Sequence, residues 1–114
     1  MAKFVRSIRG KKMSFIEYFK NRFEKELSSD VTITYKHDIA GVNGFDNNLG
    51  DYFGVELESN THAGYIAFWD KGFLDFEVIT LDTIEHVIPT KIIRTSDYED
   101  NAEVLKNIIQ YFSN

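Results

Sequence analysis

The sequence predicts an α+β fold: an antiparallel four- to five-stranded meander sheet with N- and C-terminal helices packed on one face. Two observations carry this. The central half of the chain holds short runs of alternating apolar and polar residues separated by turn residues, the pattern of half-buried strands. Apolar residues at helical spacing, each preceded by a capping signature, occur near both ends of the chain.

Ser14 and Glu17 make an S-x-x-E capping box, so the first helix begins after Ser14. Phe15, Phe19, Phe23 and Leu27 then recur every fourth residue, with Ile16 beside Phe19, as one apolar stripe over about four turns. Ser28-Ser29-Asp30 ends it. Residues 31–36 read V-T-I-T-Y-K, with Val31, Ile33 and Tyr35 alternating with Thr32, Thr34 and Lys36. Residues 39–51 hold three Gly and three Asn and read as a loop, with a short strand near residues 39–42.

Three strands follow in close order. In residues 52–58, Phe53, Val55 and Leu57 alternate with Tyr52, Gly54, Glu56 and Glu58. After the turn Ser59-Asn60-Thr61, residues 62–69 put Ile66 and Phe68 on one face and Tyr65, Ala67 and Trp69 on the other. Asp70-Lys71-Gly72 is a tight hairpin turn in which Gly supplies a positive φ. Residues 73–79 put Leu74, Phe76 and Val78 inward and Phe73, Asp75 and Glu77 outward. Residues 85–94 carry Val87, Ile88, Ile92 and Ile93, and Pro89 among them marks an edge strand or a bulge. Ser96 and Glu99 form a second capping box, after which Ala102, Leu105, Ile108, Ile109 and Phe112 share one helical face. Two amphipathic helices and a sheet with one apolar face pack economically with both helices on that face, leaving the other open.

Length and charge narrow the function. One domain accounts for 114 residues. The chain has 13 basic and 18 acidic residues, net −5. Lys3, Arg6, Arg9, Lys11 and Lys12 all lie in residues 1–12, which contain no acid. Without them, 8 basic residues face 18 acidic ones and residues 13–114 carry −10. Residues 1–12 read as a basic leader, a tag or an extension, and 13–114 as the single domain. The leader has neither the apolar segment nor the small-residue cleavage site of a signal peptide. An acidic domain is a poor generic nucleic-acid binder. No apolar run is long enough to span a membrane.

The residues offer little to an enzyme. With no Cys, thiol nucleophiles and zinc–thiolate sites are excluded. His37, His62 and His86 stand apart, without H-x-H or H-E-x-x-H spacing. Asp46, Asn48 and Gly50 resemble the start of a calcium loop. The Gly falls one position early and Leu57 stands where the twelfth-position acid belongs, so an Asx-rich turn is the better reading. No G-x-S-x-G, P-loop or G-x-G-x-x-G occurs. No cofactor or metal is expected.

The open face is the informative surface. It is expected to collect Tyr52, Glu56, Glu58, Tyr65, Trp69, Phe73, Asp75 and Glu77. Paired carboxylates of this kind serve glycosidases, but only in a cleft that desolvates one acid. Exposed rings on a sheet serve RNA-binding domains, but phosphates would meet carboxylates here. A protein interface fits both residue types: the rings act as anchors and the acids steer a basic partner. Tyr65 and Trp69 are the expected anchors, and the carboxylates the expected partners of Lys or Arg. Asp46 and Asp51 of the adjacent loop extend the contact set. A small carboxylate-dependent hydrolase and a non-catalytic scaffold with surface acids are the alternatives.

The run Y-F-G-V-E-L-E-S-N-T-H-A-G-Y-I-A-F-W-D-K-G-F-L-D-F-E-V, residues 52–78, resembles the TriTu-like immunity proteins of bacterial polymorphic-toxin and contact-dependent inhibition systems. Their pattern is an amphipathic helix and a T-x-T strand, then a V-x-L/F-E-S strand. A G-x-I-x-x-W strand, a short turn, a D-F-E-V strand and a closing helix complete it. Thr32-Ile33-Thr34, Val55 to Ser59, Gly64 to Trp69 and Asp75 to Val78 match those elements. The resemblance covers about residues 14–112; residues 1–12 lie outside it, and the loop 39–51 is longer than in the pattern. It implies a non-enzymatic, cytoplasmic antitoxin that binds one cognate toxin C-terminal domain and either blocks it or occludes its substrate. The acidic, aromatic face adds the expectation that this toxin is basic and nuclease-like.

Overall fold

The computed structural model describes residues 13–40 and 49–113. The leader 1–12, the loop residue Asp46 and the turn geometry expected at Asp46 and Asn48 lie outside them. Five strands form one antiparallel sheet in the order of the chain: β1 (Thr32–Asp38), β2 (Tyr52–Glu58), β3 (His62–Trp69), β4 (Phe73–Thr80) and β5 (His86–Arg94). A helix precedes the sheet and another follows it: α1 (Phe15–Arg22) and α2 (Ala102–Ile109).

Side-chain alternation places both helices on one face. Even-numbered residues of β3 point the same way. Among them, Phe68 lies 5.7 Å from Phe15 of α1, and His62 lies 6.3 Å from Phe112, just beyond α2. Val55, Leu57, Ile66, Phe68, Leu74, Phe76 and Val78 join Phe15, Phe19, Phe23, Leu105, Ile108, Ile109 and Phe112 in one buried cluster. Each of these was assigned inward by period. Removing so many large apolar side chains from water is the dominant stabilising term.

The first cap is as expected. The Ser14 hydroxyl accepts from the Glu17 amide and the Glu17 carboxylate accepts from the Ser14 amide, both at 3.2 Å. The helix is shorter than its apolar stripe. It stops at Arg22, Phe23 leaves the helical region at φ −123°, and Glu24–Glu26 form a 3-10 turn. The C-terminus causes this: the Ser28 amide donates to the Phe112 carbonyl at 2.8 Å and Leu27 bridges Ser113. A straight continuation of α1 would carry Leu27 and Ser28 past those partners.

The second cap is shifted by one residue. Asp97, not Ser96, takes the extended cap conformation, and its carboxylate accepts from the Glu99 amide at 2.9 Å. A 3-10 turn (Tyr98–Asn101) intervenes before α2. Ile39, expected in a short strand, is outside every strand and 50% exposed.

The β3–β4 turn has Gly72 at φ +126°, as its position requires. The β4–β5 turn is less well matched. Ile84 sits at φ +55° and is 62% exposed, a conformation that a β-branched residue adopts only under strain. Ile84→Asn, which tolerates that region and removes an exposed apolar side chain, is expected to raise stability by about 1 kcal/mol. A urea melt with an unchanged midpoint would show that Ile84 carries no strain.

Candidate functional site

Strand register assembles the open face into rows. Tyr52 pairs with Trp69 and Trp69 with Phe73; Glu56 pairs with Tyr65 and Tyr65 with Glu77. Asp75 pairs with Ala67, and Glu58 pairs with Ala63. All eight face residues expected from the sequence therefore share this surface. The aromatic row lies toward one end of the sheet and the carboxylates toward the other.

Small residues form the floor between them. Gly54 pairs with Ala67. A Cβ on Gly54 would meet the Tyr52 ring and hydroxyl at 2.5–2.9 Å, so the phenol lies directly over that glycine. Ala67 points away from both helices yet is only 3% exposed, flanked along its strand by Tyr65 and Trp69 on the same face. Tyr52 and Trp69 meet with centroids 4.7 Å apart. Trp69 is half-buried and outside the core cluster, which leaves part of the indole available for contact.

The carboxylates are less free than their sequence positions imply. The Lys36 ammonium of β1 lies 2.9 Å from the Glu56 carboxylate, and His86 Nδ1 of β5 lies 2.6 Å from Glu77. Tyr65 donates to Asp75 at 3.0 Å. Burial, reinforced by that hydrogen bond and the charges of Asp75 and Glu77, pushes the Tyr65 phenol up to about 12. Burial, then the charge of Glu56, also raises Tyr52. Hydrogen bonding and charge from Glu56 raise Lys36. Glu58 has no polar partner among the described residues and is exposed. At the β5 margin, the Arg94 guanidinium sits 5.1 Å from the Phe73 ring centre.

Lys36, His86 and Arg94 are face residues that strand-by-strand reading missed. The shared phase of Lys36 with Thr32 and Thr34 is a usable signal, but only register sets Lys36 beside Glu56. A face read as four acids and four rings is instead partly neutralised within the chain. Asp51 is not on the sheet face. It lies at the root of the loop, where its carboxylate accepts from the Ala40 amide at 3.0 Å and stands 3.6 Å from His37. Asp46 lies outside the described residues.

Tyr65 makes a direct test of this environment. In an alkaline titration followed by tyrosinate absorbance, one phenol is expected to ionise near pH 12, and Asp75→Asn is expected to move it down toward the ordinary value near 10. A phenol raised on folding holds its proton more tightly in the native state. Its stabilising contribution is complete below about pH 10 and is lost as pH rises through about 12. Tyr35, raised by burial and by its hydrogen bond to Glu24, also titrates late and is present in both proteins, so a Tyr65→Phe variant that keeps the full absorbance step near pH 12 would reassign it.

A groove of about 350 Å³ opens where β1, β2 and β3 meet this face, lined by Thr32, Thr34, Tyr52, Glu56, Glu58, Tyr65 and Glu77 among others. Among the described residues, no group of three or more His, Asp or Glu side chains is arranged to hold a metal ion. Among the described residues, no helix is long and apolar enough to cross a membrane. The architecture is that of an α+β domain with one sheet face covered by helices and the other left bare by the described residues. No family model matches the chain, and no curated protein or solved structure is significantly similar to it.

Proposed function

We propose that the protein is an immunity protein, an antitoxin that neutralises a cognate toxin domain by direct contact through the open sheet face. One observation carries the reading: a half-buried Trp69 between Tyr52 and Phe73, with Glu56, Glu58, Asp75 and Glu77 on the same sheet face, which no described helix covers. Rings of this kind anchor protein interfaces, and surrounding carboxylates attract a cationic partner. The chain's net charge of −5 favours the same class of partner, a basic toxin such as a nuclease. The resemblance to TriTu-like immunity proteins across residues 52–78 supports the same reading, with the action proposed to be in the cytoplasm of the producing cell.

A hydrolase using these acids is less well supported. A general acid is tuned by a desolvating cleft, whereas the Glu56 side chain is 46% exposed and held by Lys36.

The test is a co-expression. The C-terminal fragment encoded by the reading frame immediately upstream is produced with the tagged protein. A stoichiometric complex that survives high-salt washing and restores growth is expected. No complex and no rescue would overturn the reading. Within a complex, Glu58→Gln is expected to slow association about two- to five-fold at low ionic strength, with the difference shrinking as salt rises. Stopped-flow association that is identical for both proteins would remove Glu58 from the steering field.

A further inference from the structure

The two edges of the sheet are not equivalent, and the difference selects one of them for a partner. β5 is guarded. It contains Pro89, which cannot donate to a neighbouring strand, and its pairing with β4 shifts register between Phe76 and Val78 and again between Val78 and Ile79. β1 has neither defence. Its seven residues pair with β2 in unbroken register from Thr32 opposite Glu58 to Asp38 opposite Tyr52. Its single lysine does not guard the edge, because it turns back over the sheet to Glu56 at 2.9 Å. Among the described residues, no strand pairs with the outer side of β1.

The chemistry beside β1 specifies what can add there. Thr32 stands opposite Glu58 and Thr34 opposite Glu56, so the open-face side of the edge is low and leads into the groove lined by both glutamates. A sixth strand would lie roughly 10 Å from β2, two strand spacings away. Arg or Lys side chains on that strand are long enough to cross the short threonines, whereas Ser, Asp or Asn are not. Glu58, without a polar partner, is the first carboxylate they reach.

We propose that an extended segment of the partner protein, with Arg or Lys at alternate positions, adds to the sheet along β1. Its basic side chains then cross Thr32 and Thr34 to reach Glu58 and Glu56. This deepens the interface proposed above and rests on it, since it names the edge at which the partner enters. Main-chain hydrogen bonds to β1 supply affinity and the glutamates supply selectivity. The arriving cation competes with Lys36 for Glu56.

The experiment uses the full chain, labelled with ¹⁵N, and three synthetic peptides: Ac-Thr-Arg-Thr-Arg-Thr-Arg-Thr-NH2, the same peptide with its central Arg replaced by Pro, and the same peptide with Glu for every Arg. The first is expected to shift amide signals of Thr32–Asp38 and of Glu56 and Glu58, leaving His86–Arg94 unmoved. The Pro peptide is expected to bind about ten-fold more weakly or worse, having lost main-chain bonds, and the Glu peptide not at all. Lys36→Met is expected to tighten binding of the Arg peptide, and Glu58→Gln to loosen it. Shifts centred on β5, equal binding by the Pro or Glu peptide, or no binding at millimolar Arg peptide would each overturn the proposal. A toxin complex that forms while the peptide fails would defeat the edge alone. A peptide that binds β1 while no toxin complex forms would defeat the antitoxin reading alone.

Discussion

Phe19→Ala is expected to destabilise the fold by about 3–5 kcal/mol, the range for emptying a fully buried aromatic site. Phe19 has no exposed surface. Its ring lies 6.4 Å from Phe15, 5.6 Å from Phe23 and 6.3 Å from Tyr35 of β1, so it joins the first helix to the sheet edge. Phe15 and Phe23 are held by α1 and its cap and Tyr35 by β1, so they cannot all close inward on the cavity. A domain of this size has about 5–15 kcal/mol in total, so the variant is expected to sit at the margin of folding. Its thermal midpoint should fall by more than about 10 °C. Phe19→Leu should recover most of the loss. A urea melt of the Ala variant that shows a loss below about 1 kcal/mol would mean that Phe19 is not part of the core.

Trp69→Ala separates binding from folding. Trp69 is half-buried on the open face, against Tyr52 and outside the helix-covered core. Its removal is therefore expected to cost roughly 1–2 kcal/mol of stability, less than a core aromatic. Loss of an anchor is expected to weaken the complex with the toxin fragment by about 2 kcal/mol or more, near thirty-fold in Kd. Calorimetric titration and thermal melts on the same sample distinguish the two effects. A variant that binds at full strength removes Trp69 as an anchor. One that loses stability like Phe19→Ala would make the indole a structural element in its own right.

Strand assignment was legible because period-2 alternation is local. Val55, Leu57, Ile66, Phe68, Leu74, Phe76 and Val78 face the helices as their spacing requires, and Ser14 with Glu17 begins α1 where the capping box stands. Element ends were less legible. α1 ends at Arg22 because Leu27 and Ser28 are drawn to Ser113 and Phe112, 86 and 84 positions further along the chain. The second cap moved from Ser96 to Asp97 because a one-residue shift costs little when two capping residues are adjacent.

The sequence by itself determined the α+β class, the meander order, the inward residues of the central strands and the eight rings and acids of the open face. Each follows from a pattern of a few neighbouring residues, with apolar burial dictating which face turns inward. Only the tertiary structure decided how that face is charged and which edge is open. Lys36 reaches Glu56 and His86 reaches Glu77 through register between strands. Regular pairing leaves β1 unguarded while Pro89 and the register shifts guard β5. Cross-strand register depends on contacts between residues distant in the chain, so no local pattern contains it.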